Sequence, residues 1–164
     1  MLFTMMRLPP KPASFRMPEA DKTLRPFKVV FASRRSLLPV LRFTLHAAIL
    51  DAGFSQDTAD DMETVLDEAL SNIIEHTYRN HNDGEVELVL HFSSDRVTLM
   101  LSDRGEKFNP FEMPEVDMEN YFRENQTGGL GVHMIRALVN EASYLPRDGG
   151  GNTLMLVKIQ ENAA

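Results

Sequence analysis

The chain has 164 residues, 43% hydrophobic and 25% charged, with 9 Gly and 9 Pro, which suits one domain of roughly 100–200 residues and excludes a globally disordered or collagenous protein. Its 17 Lys and Arg against 24 Asp and Glu leave a net charge of −7, which argues against a nucleic-acid partner because phosphate neutralisation needs a basic face. Cysteine is absent, so disulfides, thiolate metal sites and a cysteine nucleophile are excluded.

Residues 1–26 carry Pro9, Pro10, Pro12, Pro18 and Pro26 with no apolar period, and an extended or partly disordered leader is expected there. The apolar start is broken by Arg7 and the prolines before a signal-peptide core forms. No apolar run reaches the roughly 18 residues that span a bilayer, so a cytoplasmic protein with no membrane partner is expected. From Phe27 the pattern becomes regular, and residues 27–162 are read as the folded domain. Phe27, Val29 and Phe31 alternate as a short strand. Leu38, Leu41, Leu45, Ala48, Ile49 and Ala52 then recur at helical spacing, with Ser36 as a cap and Gly53 at the C-terminus.

Ser55 is placed to cap a second helix, in which Met62, Val65, Leu66, Ala69, Leu70, Ile73, Ile74 and Thr77 keep the i, i+3, i+4, i+7 pattern. Asn82-Asp83-Gly84 is a turn signal. Val86, Leu88, Leu90 and Phe92 alternate after it, and Ser93-Ser94-Asp95 turns into Val97, Leu99 and Leu101, an antiparallel hairpin. Residues 104–127 have no period and exceed the usual connection of about 4–6 residues. Thr127-Gly128-Gly129-Leu130-Gly131 opens a helix to about Asn140, a strand follows near Ala142–Leu145, and Asp148-Gly149-Gly150-Gly151 turns into a last strand read from Thr153, Met155, Val157 and Ile159. Hairpins without regular βαβ alternation point to an α+β, two-layer sandwich, a mostly antiparallel sheet with helices on one face.

On the second helix Glu68, Asn72 and His76 are four residues apart and form one polar line beside the apolar stripe. By itself such a line is the solvated flank of an amphipathic helix. Asp103 follows an apolar strand, and Gly105 lets the backbone approach a ligand closely. Glycines with free N–H groups at a helix N-terminus, as in residues 127–131, make an anion site favoured by the helix dipole. Gly150-Gly151-Asn152-Thr153 opens the last strand and reads as a hairpin turn when taken alone. His46, His81, His91 and His133 show no metal-site spacing.

Together, in this order, the four pieces resemble the ATP-binding superfamily shared by gyrase, the heat-shock chaperones and the histidine kinases (the GHKL ATPases, with the Bergerat ATP-binding fold). Within it they resemble the anti-sigma factor serine kinases of bacterial partner-switching systems. Residues 67–76 are similar to the family's Asn-containing helix box, Asp103-Arg104-Gly105 to its first glycine box, 127–131 to its second, and 149–153 to the element at the last strand. The resemblance implies that ATP and Mg2+ are the cofactors. It implies Glu68 as general base, Asn72 as the magnesium ligand and Asp103 as acceptor for the adenine amine, with Gly105 beside it. Thr153 is implied to reach the same base, and Gly128, Gly129, Leu130 and Gly131 to hold the phosphates; His76 belongs to the helix box. It further implies phosphorylation of a serine on an anti-sigma-factor antagonist, binding of a sigma factor, and a homodimer as one assembly. Lys107 stands where the superfamily often has a second glycine. An ATP-binding interaction module without transfer is the alternative; a histidine-kinase catalytic domain lacks room for a phosphoacceptor domain before the second helix.

Overall fold

The computed structural model describes residues 26–113 and 130–160. Five strands, β1 (Phe27–Ala32), β2 (Glu85–Phe92), β3 (Arg96–Asp103), β4 (Glu141–Pro146) and β5 (Asn152–Ile159), form one sheet in the order β1-β2-β3-β5-β4. Every neighbouring pair is antiparallel. Three α-helices accompany it among the described residues: α1 (Leu38–Asp51), α2 (Gln56–Asn72) and α3 (Gly131–Leu138). The expected α+β sandwich is what the chain adopts. No helix among the described residues is long and apolar enough to cross a membrane.

The two-residue period of β2 buries Val86, Leu88, Leu90 and Phe92 in strict alternation, and β3 buries Val97, Leu99 and Leu101 on the same side. These side chains meet Leu41, Leu45 and Ile49 of α1, Met62, Val65, Leu66, Ala69 and Leu70 of α2, and Ile135 of α3 in a single core. Asp103 is the next residue of β3 on that face, so the alternation that builds the core also carries a carboxylate into its upper end, 1% exposed. On β5 both faces are apolar: Leu154 and Leu156 join the core cluster while Met155 and Val157 are buried opposite. The register pairs Asp103 with Asn152 and Ser102 with Thr153.

Local signals explain most element ends. The Ser55 hydroxyl accepts a hydrogen bond from the Thr58 N–H at 3.2 Å and caps α2 as expected. Gly53 adopts φ 89° after α1, the left-handed conformation that glycine takes at least cost. Ser36 does not cap α1. It lies inside a 3-10 turn, Arg35–Leu37, which leads into the helix at Leu38 with Pro39 in its first turn. The helical period of α2 continues in sequence to Thr77, but the chain winds as a π turn over Ile73–Thr77, closed by the Tyr78 N–H donating to the Ile73 carbonyl at 3.0 Å. Arg79 and Asn80 then take φ 48° and 63°, left-handed backbone without glycine, which is how the chain reverses toward β2.

Candidate active site

Where β3 ends and β5 begins, Asp103 is held by one of its two oxygens. Its Oδ1 accepts from the Gly105 N–H at 2.9 Å and from Nδ2 of Asn152 at 2.9 Å. Burial pushes this carboxyl above the usual carboxylate range, against the hydrogen bonds from Asn152 and Gly105 and the charge of Arg147, which pull it down. Asp103 shares a small cavity, about 20 Å³, with Asn72, Thr77, Phe108, Tyr144 and Asn152. That volume is room for about one water molecule. The close fit around Gly105 ties this end of the sheet to the π turn after α2, because a Cβ there would strike the Thr77 side chain and carbonyl.

Asn72, the last residue of α2, lines the same cavity from the helix side. Its Nδ2 is buried with no hydrogen-bond partner, a polar group directed at the cleft wall that water or a ligand must satisfy. One helical turn earlier Glu68 is half-buried, and among the described residues its carboxylate accepts no hydrogen bond. Burial raises the affinity of Glu68 for its proton, and the charges of Asp67 and Glu75 raise it further. Glu68 lies against the start of α3: a Cβ on Gly131 would collide with its Oε2. Gly131 is the first residue of α3 and Leu130 precedes it without a side-chain cap, so the electropositive end of that helix lies beside the carboxylate. Asn72 and Asp103 thus share one cavity, while Glu68, one turn earlier on the same helix, lies against the start of α3.

The family model of the histidine kinase-like ATPase domain matches residues 31–158. The chain belongs to the histidine kinase-like ATPase family. It is 31% identical over 119 residues to the serine-protein kinase RsbW of Staphylococcus epidermidis, covering 67% of this chain and 72% of that one. It is 26% identical over 115 residues to the RsbW of Bacillus subtilis strain 168, covering 67% and 71%. The crystal structure of the RsbU and RsbW domains of a Mycobacterium tuberculosis protein shares its fold, with a TM-score of 0.56, 20% identity and 85% of this chain covered. This chain spans 34% of that longer one. The relatives place the chain in the RsbW branch of the ATPase family.

Two of the residues expected in the ATPase site lie elsewhere. Thr153 is on the opposite face of the sheet from Asp103, where its hydroxyl pairs with that of Ser102 at 3.0 Å; Asn152 takes the place on the cavity side. The physical reason is the strand period, since adjacent residues point to opposite faces. His76 leaves the polar line of Glu68 and Asn72, because the π turn adds residues to the turn and rotates everything after it. Its exposed ring stacks on Phe108, centroids 4.5 Å apart, outside the cavity lining. Gly128 and Gly129 lie outside the described residues. Lys107 is exposed.

Sequence reasoning passed over Asn152, Phe108, Tyr144 and Tyr78. Tyr78 joins the helix box to the first glycine box: its hydroxyl donates to the Glu85 carbonyl at 2.6 Å and accepts from the Arg104 N–H at 3.1 Å. An aromatic hydroxyl just past the helix box was the available signal. A larger open groove, about 450 Å³, is lined by Arg34, Arg35, Asn80 and Asn82 at the start of α1 and contains neither Glu68, Asn72 nor Asp103.

Proposed function

We propose that the chain is an ATP-dependent protein-serine kinase and anti-sigma factor of the RsbW type, which phosphorylates a serine of an antagonist protein and otherwise holds a sigma factor. The observation that carries this reading is Glu68. Among the described residues it is a carboxylate without a hydrogen bond, made more basic by burial, one helical turn before Asn72 and against the first residue of α3. Glu68 would accept the proton of the incoming serine hydroxyl while the serine oxygen bonds to the γ-phosphorus and the bond to the β–γ bridging oxygen breaks, releasing ADP. Asp103 would accept a hydrogen bond from the adenine amine, with Gly105 holding its other oxygen. Leu130 and Gly131 would offer backbone N–H groups to the phosphates, and Gly128 and Gly129 belong to the same proposal.

The oxygen of the Asn72 side chain suits a hard cation, and its buried Nδ2 is a donor that a phosphate oxygen or a water would satisfy. Asn72 would hold Mg2+, which when bound neutralises charge on the triphosphate. Phosphorylation adds close to two negative charges to the antagonist serine, and repulsion from a protein of net charge −7 then favours release. The site of action is the cytoplasm, where ATP and a sigma factor are both present, and residues 1–26 act as a leader outside the ATPase domain at 27–162.

The test is Glu68→Gln. ATP binding measured by calorimetry is expected to hold, and transfer from labelled ATP to the antagonist to fall by about two orders or more. Equal rates for the two proteins would reject the base assignment. ATP binding with no transfer by the unsubstituted protein to any antagonist would favour the interaction-module reading instead. Sedimentation of the same preparations tests for the homodimer.

A further inference from the structure

The side chain of Asn152 has all four of its hydrogen-bonding positions engaged, and each leads to a different part of the cavity wall. Its Nδ2 donates to Oδ1 of Asp103 at 2.9 Å and to the Glu106 carbonyl at 2.8 Å. Its Oδ1 accepts from the Phe108 N–H at 3.1 Å and from the Tyr144 hydroxyl at 2.7 Å. Two donors and two lone pairs are the whole capacity of a carboxamide, and at 4% exposure no water competes for them. One amide therefore ties the end of β3, the segment that carries Phe108, and β4 to the start of β5.

The asymmetry at Asp103 gives this knot a chemical consequence. Both the Asn152 amide and the Gly105 N–H donate to Oδ1, so those bonds leave Oδ2 for a ligand. Two donors on one oxygen also mark the carboxyl as an acceptor on that side, and they fix its rotation about the Cβ–Cγ bond. An acceptor held in one orientation recognises an exocyclic amine and rejects a carbonyl at the same place, since two facing acceptors leave both unpaired in a dry site.

We propose that Asn152 is a positioning residue for base selection, orienting Asp103 so that its second oxygen takes the 6-amine of the purine and discriminates against 6-oxo purines. The inference rests on the reading of this cavity as the nucleotide-base site. Asn152 reaches the ligand only through Asp103. The bonds to Glu106 and Phe108 make the same amide the hinge point on which the cavity's outer wall is hung.

The experiment compares the dissociation constants of ATP, GTP and the triphosphate of purine riboside, which lacks the 6-amine, by calorimetry on the full chain. The unsubstituted protein is expected to favour ATP over the amine-free analogue by about 10-fold or more, the span of one hydrogen bond to a charged group. In Asn152→Leu, which removes both donors without setting a second, proton-sharing carboxyl against Asp103, that ratio is expected to fall to within about threefold of unity, with ATP losing affinity and the analogue keeping it. If that variant does not fold, Asn152→Val takes its place with the same expectation. Asn152→Thr returns a hydroxyl donor on a side chain suited to a strand and is expected to restore most of the discrimination. Equal loss of affinity for all three nucleotides, with the ratio unchanged, would reduce Asn152 to a structural residue and overturn the proposal. An unsubstituted protein that binds none of the three would overturn the base-site reading itself, a separate result.

Discussion

Two carboxylates of the proposed site, Glu68 and Asp103, share one physical cause for their raised proton affinity but differ in their hydrogen bonding. Glu68 and Asp103 are both pushed toward their protonated forms by burial, but Glu68 has no hydrogen bond among the described residues and Asp103 has two on one oxygen. The first is left able to take a proton and the second is held as an acceptor. Because a base acts only when ionised, the transfer rate is expected to fall as pH is lowered through a limb above 4.5, the ordinary value for Glu. A pH–rate profile checks this, and the limb is expected to vanish from the residual activity of Glu68→Gln. Asp103→Asn replaces an acceptor by an amide that can present either a donor or an acceptor. ATP affinity is expected to fall about 10-fold or more, and an unchanged calorimetric constant would remove Asp103 from base recognition.

Among the elements, the boundary between α2 and the π turn and the start of α3 shape the site most. The α-helix ends at Asn72 and the π turn begins at Ile73, so Glu68 and Asn72 keep their four-residue alignment while His76 is turned out to stack on Phe108. Ser55 caps the other end of the same helix, which fixes where α2 begins. The start of α3 approaches Glu68 so closely that a Cβ at 131 would meet its carboxylate as now placed. Gly131→Ala has a mild backbone consequence, since alanine is a good helix former and the obstructing atom is the end of a flexible side chain. Stability in urea is expected to stay within about 1 kcal/mol of the parent. Transfer is expected to drop about 10-fold or more as Glu68 is displaced, and a parent-like rate would show that the carboxylate need not lie against α3.

For the molecule as a whole, three partly or fully buried carboxyls bear on the pH dependence of stability. Asp67, Glu68 and Asp103 all have their proton affinity raised, with burial the largest cause in each, and Arg42 partly offsets it at Asp67. Each carboxyl binds its proton more tightly folded than unfolded, so between the ordinary value and the raised one the native state holds more protons and stability falls as pH rises. Below 3.8 for Asp and 4.5 for Glu both states are protonated and this loss disappears. The urea midpoint of the nucleotide-free protein is therefore expected to decline with pH across that window. Asp103→Asn is expected to flatten part of the decline, and an identical slope in the variant would show that Asp103 is not one of its sources.

The strands β2 and β3, the cap at Ser55, the turn at Gly53 and the helical spacing of Glu68 and Asn72 were all legible in the sequence, because each depends on neighbours within about four residues. So was the carboxylate at Asp103, which continues the buried alternation of Val97, Leu99 and Leu101. What the sequence left open is which side of β5 faces the helices. Leu154 and Leu156 are as apolar as Met155 and Val157, so the period is silent there, and the family resemblance alone pointed to Thr153. Only the antiparallel register with β3, a pairing across 49 positions of chain, puts Asn152 beside Asp103. The π turn is likewise invisible to spacing, since the apolar pattern of α2 runs through it unbroken, and it is set by the close packing of Thr77 and Tyr78 on Gly105 and Gly84. Local periodicity determined which residues carry the chemistry along each element. Long-range pairing and packing decided which of them face one another, because a shift of one residue in a strand or one extra residue in a helical turn changes the face while leaving the sequence pattern intact.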